Sequence, residues 1–359
     1  MRKSTTASPM NRRRFMGVAA GIGAGVGSAG LFGASRTLAD DRPGVPRSAA
    51  SQPPGNATKV STITLGNVTV TRVVEYKGSV ELTSRDFFPE TPEEMWRKNG
   101  SWLSPDFWNP ETDIVRIALQ TWVLRSEGRT ILIDTGAGND KFRPYAKVWQ
   151  YMDTDYLRQL SMAGVRPDEV DIVVNTHLHN DHVGWNTRRE GRDWVPTFPN
   201  ATYLIPKVEF DFWNPEHPSR ARDPKAGQNV WEDSVLPVRE AGLVKLWDGK
   251  HSIDSNLTLE LAPGHTPGSS FVRLRSLTDR ALFTGDLLHS PLQFEHPHFN
   301  SCFEEDEKQA RASRQRVLGW AAEHNALVLP AHLPGHGAAE ISREGGRFAI
   351  KEWAGFSRI

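Results

Sequence analysis

Five apolar, strand-like segments of this 359-residue chain lead into a histidine or an aspartate. Strand ends without a special role would carry Asn, Gly, Ser and Pro about as often as these two residue types. A metal ligand needs a rigid strand behind it and an open edge in front, and strand ends provide both. The sequence therefore predicts one site built from strand ends: TILI before Asp134, VDIVV before a cluster that begins at His177, LTLELAPG before His265, ALFTG before Asp286 and ALVLPA before His332.

The densest part of this pattern is the stretch HLHNDH, residues 177–182. His177 and His179 are two residues apart, so in an extended segment both rings project to the same side and can reach one cation. Asp181 and His182 follow after a turn and can reach a second cation. Imidazole nitrogens and carboxylate oxygens suit zinc, and also manganese, iron or cobalt. This segment supplies too few ligands alone, so we expect the others to come from the remaining strand ends.

These elements also stand in the order of a known motif set. The chain resembles the metallo-β-lactamase superfamily in IDTG (133–136), HLHNDH, GHTPG (264–268), FTGD ending at Asp286 and LPAH ending at His332. The resemblance covers roughly residues 63–340. It implies an α/β fold in αββα layers, in which two mixed β-sheets pack face to face with helices outside.

The resemblance further implies two divalent metal ions, with zinc favoured, and a hydroxide that bridges them. Asp181 would pass a proton to the leaving group, and Asp134 would orient a ligand imidazole or the histidine loop. The implied ligands are His177, His179 and His265 for the first ion, Asp181, His182 and His332 for the second, and Asp286 between the two.

Other histidines compete for these roles. AHLPGHG contains His332 and His336; His332 follows the strand directly and is favoured as the ligand, while His336 would face substrate or solvent. We interpret His289, His296 and His298 as surface or pocket residues and His217, His251 and His324 as solvated. The lone Cys302 excludes an intrachain disulfide and is read as a packing residue.

Particular residues separate the branches of the superfamily. The cluster ends in His182, where zinc β-lactamases commonly carry arginine, and His179 stands where flavodiiron proteins carry glutamate. His332 lies 27 residues from the end of the sequence, which argues against the helical glutathione domain of glyoxalase II. In residues 181–213 and in SCFEEDEKQARASR (301–314) the chain resembles quorum-quenching acyl-homoserine lactonases and methyl parathion hydrolase.

That similarity implies an enzyme that hydrolyses lactones, above all acyl-homoserine lactones, or related esters. A phosphotriesterase on the same metal pair and a mononuclear iron dioxygenase acting on persulfides are the alternatives. Trp185, Phe212 and Trp213 are expected to form an apolar wall for the substrate, with ordinary core packing as the alternative. The tryptophan-rich segment 93–108 is expected to form a lid.

The N-terminus carries an export pattern. NRRRFMG (11–17) is similar to a twin-arginine signal, and TLA (37–39) resembles a cleavage site. We therefore predict a signal over 1–39, a Pro- and Ser-rich linker over 40–60 and a catalytic domain over 61–359, with a periplasmic or secreted location.

Charge limits the partners. Residues 1–39 contain six basic side chains and no acid, which leaves 37 basic and 43 acidic groups in the rest of the chain. An acidic body argues against nucleic acid, and the apolar stretch at 18–34 is too short and Gly-rich for stable membrane insertion. We expect a small-molecule substrate with an apolar part and leave a homodimer open.

Overall fold

Two β-sheets and one short two-stranded sheet make up the frame of this computed structural model, which describes residues 60–217 and 227–358. The predicted signal and all of the predicted linker except Val60 lie outside the described residues. The strands are β1 (Val60–Leu65), β2 (Val68–Thr83), β3 (Trp108–Asn109), β4 (Ile114–Ser126), β5 (Arg129–Ile133), β6 (Ile172–Val174), β7 (Thr187–Glu190), β8 (Asp193–Pro196), β9 (Thr202–Pro206), β10 (Val244–Trp247), β11 (Lys250–Ser252), β12 (Leu257–Leu261), β13 (Ser270–Ser276), β14 (Asp279–Gly285), β15 (Leu327–Pro330), β16 (Ala339–Glu344) and β17 (Arg347–Trp353).

Both large sheets mix parallel and antiparallel pairs, as predicted. The first has the order β1-β2-β4-β5-β6-β9-β10 with β3 beside β4, and the second runs from β11 to β17 in sequence order. In the first sheet β5, β6, β9 and β10 are parallel neighbours, and in the second β14 and β15 are parallel. The carboxyl ends of these strands therefore meet at shared sheet edges, where the predicted site residues follow.

β4 and β5 form a tight antiparallel hairpin. Ser126 pairs with Arg129, and the two residues between them, Glu127 and Gly128, have φ values of 49° and 77°. Two successive positive φ values are what a tight two-residue hairpin turn requires.

The main core lies between the two sheets. Alternation along β5 shows how the sequence specifies it: Ile131 and Ile133 join the cluster shared with β12, β13 and β14, whereas Leu132 joins a cluster on the outer side. Trp122 of β4 meets Phe283 of β14 across the interface, with ring centroids 5.9 Å apart. Burial on both faces explains why these strands read as continuous apolar runs.

Helices cover the outer faces of the sheets and complete the predicted αββα layers. They are α1 (Ser84–Phe87), α2 (Glu93–Lys98), α3 (Gly100–Leu103), α4 (Tyr156–Met162), α5 (Lys207–Trp213), α6 (Leu236–Glu240), α7 (Leu292–Glu295) and α8 (Glu307–Glu323). Val317 and Leu318 of α8 pack on the second sheet, and Tyr156 and Leu160 of α4 pack on the first. Within the described ranges, no helix has the length and hydropathy required to cross a membrane.

One expectation needs correction, and one burial was not expected. The segment 93–108 is not a lid, because Trp96 and Trp108 are about 1% exposed and their rings pack in the core with centroids 6.0 Å apart. On α8 one charged residue lies in the interior. Arg314 is fully buried and donates to Glu304 at 3.0 Å, so it pairs with an acid inside the protein.

Candidate metal centre

Strand ends of both sheets deliver the predicted residues to one place. Asp134 follows β5 and His177 lies three residues after β6, while Asp286 follows β14 directly. His332 lies two residues after β15 and His265 four residues after β12. The ligand-bearing segments are therefore anchored by strands of both large sheets.

Two sets of potential ligand atoms form there, each with all its atoms within 4.8 Å of one another. The first set is His177, His179 and His265 together with Asp286, and the second is Asp181, His182 and His332. We call the three histidines of the first set the first position, and the three residues of the second set the second position.

Asp286 faces both positions with separate oxygens. Its Oδ2 lies 3.2 Å from Nε2 of His265, whereas its Oδ1 lies 3.1 Å from Nε2 of His182 and 3.0 Å from Nε2 of His332. This carboxylate can therefore contact ligands of both positions at once, which is the arrangement that the motif implied.

Partners of the Nδ1 atoms orient three of the rings. His182 Nδ1 lies 2.9 Å from Asp134, His332 Nδ1 lies 3.0 Å from the carbonyl oxygen of Ala118, and His265 Nδ1 lies 3.2 Å from Glu304. Each of these contacts turns Nε2 towards Asp286. Partners of this kind hold a metal-binding histidine in its tautomer and ring orientation.

His179 is oriented the other way round. Its Nδ1 lies 2.9 Å from Nε2 of His265, so Nδ1 is the nitrogen that faces the cluster. Its ring meets that of Trp213 edge-on, at a centroid distance of 5.6 Å.

The electrostatics of the cluster call for a cation. Burial holds the pKa of His177 and of His179 well below the ordinary histidine range, which leaves neutral imidazoles with a free lone pair. Burial also disfavours charge on His265, but hydrogen bonds to Asp286 and Glu304 outweigh it and raise the pKa of His265 to about 10. The carboxylates of Asp286 and Glu304 therefore favour positive charge at this position.

Buried atoms without partners point the same way. Nε2 of His177 has no hydrogen-bond partner among the described residues, and Oδ1 of Asp286 faces Nε2 of His182 and of His332 without the geometry of a hydrogen bond. Uncompensated buried polar atoms are costly. A divalent ion bound by imidazole and carboxylate would satisfy both, so the donor set fits such an ion.

The structure adds a sixth histidine to the centre. His289 is 4% exposed, and its Nε2 lies 3.1 Å from Oδ2 of Asp286, within a further ligand-like group formed with His332. The sequence interpretation as a surface or pocket residue missed this contact. The available signal was the spacing of three residues after Asp286, which keeps the two side chains together on a tight turn.

Two buried acids were also missed. Glu304 contacts His265 and is held by Arg314, and Glu209 accepts from the loop between the first two histidines. Neither residue belongs to the five metal-site motifs. Both lie in stretches that resemble the lactonase branch as a whole, but that resemblance gave no role to either acid.

Several candidates fall outside the cluster. His336 Nδ1 lies 3.0 Å from the carbonyl oxygen of Phe356 and its ring stacks near Trp353, so His332 is the residue of this pair that joins the centre. His296 and His298 line a separate surface cavity of about 380 Å³ together with Arg311. Burial raises the pKa of the Cys302 thiol to about 12, as expected for packing rather than nucleophilic chemistry.

Two of the three predicted wall residues, Phe212 and Trp213, are 6% and 9% exposed and belong to a buried cluster with Leu178, as the core-packing alternative expected. Trp213 contacts His179 and Phe212 packs against Trp213 at 5.1 Å, so both lie on the first-position side. Trp185 lies elsewhere, because its ring stacks on Tyr156 and its indole N–H donates to Glu75, in the layer outside the first sheet.

His289 is flanked by two aromatic rings. Phe87 and Phe303 lie 5.7 and 6.3 Å from it, and Phe303 is 45% exposed. Neither ring was singled out from the sequence.

Comparison with known proteins agrees with this geometry. Residues 119–332 match the family described as the Metallo-beta-lactamase superfamily. A protein named N-acyl homoserine lactonase AttM, from Agrobacterium fabrum (strain C58), is 27% identical over 194 residues, which cover 52% of this chain and 67% of that protein.

Solved structures show the same fold. The hydrolase AbOPH of the beta lactamase superfamily superimposes with a TM-score of 0.69 at 22% identity, over 85% of this chain and 99% of that one. AidC, a dizinc quorum-quenching lactonase solved with a product, gives a TM-score of 0.67 at 24% identity, over 84% and 99%. The predicted fold class is thereby confirmed.

Proposed function

Because the chain belongs to the metallo-beta-lactamase superfamily, we propose that it is a dinuclear enzyme that opens lactones or cleaves related esters. The prediction of a metal-dependent hydrolase acting on ester bonds is confirmed by the family and by the lactonase relatives. The choice of lactones, with acyl-homoserine lactones first, is our proposal, and the AttM and AidC similarities support it.

The position of Asp286 carries the proposal of two ions. A carboxylate with one oxygen towards each set of histidines serves a pair of cations better than a single one. When bound, a pair of divalent ions activates a water molecule at neutral pH and polarises the carbonyl of a substrate. Zinc is our first choice because imidazole dominates the donor set and AidC is a dizinc protein.

The chain's own residues supply the rest of the chemistry. Asp181 is the least buried member of the second position, with its side chain 14% exposed, and its Oδ2 lies 3.5 Å from Nε2 of His332. A carboxylate at the open edge of the centre is placed to hand a proton to the leaving alkoxide. Asp134 and Glu304 hold the rings of His182 and His265 in place. They thereby fix the positions at which ions would bind and polarise a substrate carbonyl.

Aromatic side chains near the centre would hold the apolar part of the substrate. Trp213 and Phe212 lie beside the first position, and Phe303 lies beyond His289 with much of its surface open to solvent. An exposed aromatic ring next to a polar centre suits an acyl chain attached to a lactone.

The test combines metal analysis with a substrate screen. We expect about two zinc-like ions per purified chain and faster turnover of acyl-homoserine lactones than of aryl esters or phosphotriesters, with loss of activity after chelation. Preferred turnover of a phosphotriester would support the phosphotriesterase alternative. A single bound iron with oxygen consumption on a persulfide would overturn the hydrolytic proposal.

We also propose that the protein is exported through the twin-arginine pathway to the periplasm or beyond. The proposal rests on NRRRFMG at 11–17 and the small-residue site at 37–39. Replacing Arg12 and Arg13 by lysine keeps the charge and should abolish export, measured as the fraction of protein recovered from the periplasm. An unchanged periplasmic fraction would refute this assignment.

A further inference from the structure

Glu209 of α5 is a fully buried carboxylate that touches both loops of the first position. Its Oε1 accepts the backbone N–H of Leu178 at 3.0 Å, and its Oε2 accepts the backbone N–H of Gly268 at 2.9 Å. Leu178 stands between the two histidines of the HLH stretch, and Gly268 ends the GHTPG turn that carries the third. One side chain therefore joins the segments that hold all three imidazoles.

A third partner of Glu209 is also a donor. The indole N–H of Trp213 donates to Oε1 at 2.6 Å. A carboxylate is the side chain that only accepts, so it alone satisfies donors at both oxygens. An amide at the same place would turn an NH₂ group towards an N–H.

Backbone packing makes this contact close. A Cβ at Gly268 would lie 2.4 Å from Cβ of Glu209, so the turn rests directly on α5. At the base of the two loops, Ser270 donates to the carbonyl oxygen of Thr176 through both its backbone N–H, at 3.0 Å, and its hydroxyl, at 2.9 Å. Ser270 of β13 therefore fixes the base of the two loops, and Glu209 fixes the parts of the loops that carry the imidazole rings.

A second buried acid provides the comparison that separates positioning from ordinary support. Glu75 accepts from the backbone N–H groups of Ala137 and Gly138, from an indole N–H and from the Thr154 hydroxyl. Two of these partner types, a pair of backbone N–H groups and an indole N–H, match those of Glu209. The loop that it holds, however, contains no residue of the first position.

We propose that Glu209 is a positioning residue that sets the separation between the His177–His179 pair and His265 and so builds the first metal position. This inference rests on the proposed metal centre, but it does not depend on which ester is the substrate.

The experiment measures metal stoichiometry and affinity, with zinc as the probe, in E209Q and in the matched control E75Q. Native protein should hold about two ions per chain. E209Q should bind one of them about 10–100-fold more weakly, the range typical for partners behind a ligand, while E75Q should keep the native affinity at the first position. Adding His332→Ala to E209Q should remove the remaining ion, whereas adding His265→Ala should not.

Thermal melts of the chelated proteins check folding. If E209Q does not fold, Trp213→Phe removes one donor and keeps the carboxylate, with Trp185→Phe as its control, and it should weaken the first position alone. Native zinc affinity at both positions in E209Q, or the same loss in E75Q, would overturn the inference. A native protein that binds no metal would instead refute the proposed metal centre.

Discussion

The two positions of the candidate metal centre are held by different parts of the chain. Behind the second position stand Asp134, which contacts His182, and the main-chain oxygen of Ala118, which contacts His332. Behind the first stand Glu209 and Glu304, from segments that no motif marks. The ligands of both positions are recognisable from the sequence, but among these supports only Asp134 is.

The supports also differ in how they are themselves held. Asp134 belongs to a turn that continues a buried strand, and its carboxylate accepts from the backbone N–H and the hydroxyl of Thr176, both at 2.8 Å. Glu304 lies in a loop and depends on Arg314 of α8, whose guanidinium also donates to the carbonyl oxygens of Leu287, Pro297 and Phe299. The first position is therefore coupled to the outer helix, and the second to the sheet.

The largest effect should come from the one residue that both positions share. Asp286→Asn replaces the charge that faces His182, His265 and His332 by a neutral amide, which is a poorer ligand for two cations. We expect metal content to fall at both positions and turnover to fall at least about 1000-fold, each tenfold being about 1.4 kcal/mol. Metal analysis and kinetics on one preparation test this. Native turnover with both ions retained would remove the basis for a shared ligand.

The same division separates the features that could be predicted from the sequence from those that could not. Strand ends could be predicted because apolar runs and the residues after them are local features, and β5, β6, β12, β14 and β15 appear where expected. Asp286 and His332 meet because β14 and β15 are parallel neighbours. The resemblance implied that these two residues meet, whereas the periodicity of the sequence did not.

What could not be predicted depends on tertiary packing. Arg314 reads as one of many charges on an amphipathic helix, and its burial follows from the loop that crosses α8. Trp185 and Trp213 both read as candidate wall residues. Only the packing of α4 and α5 decides that the first stacks on Tyr156 and the second meets His179.

The next effect in size should appear when the first position loses its charged support. Glu304→Gln leaves the guanidinium of Arg314 buried without an opposite charge, which typically costs about 3–5 kcal/mol of folding stability. The orientation of His265 should loosen as well, so zinc affinity at the first position should fall. Denaturant unfolding and zinc titration measure the two losses. Retention of native stability would show that Arg314 is satisfied by its carbonyl partners alone.

The smallest effect should follow from changing the support of the second position. Asp134 has a positive φ of 55°, a conformation that asparagine tolerates well, so Asp134→Asn keeps the backbone and removes only the charge. The amide oxygen can still accept from Thr176 or face His182. The ring orientation should therefore weaken without collapsing, with about 10–100-fold loss in metal affinity or activity, confined to the second position and with stability reduced less than in Glu304→Gln. Zinc titration of the two variants side by side tests this order. If Asp134→Asn proves the more damaging, the sheet rather than the outer helix controls the centre, and the contrast between the two positions is reversed.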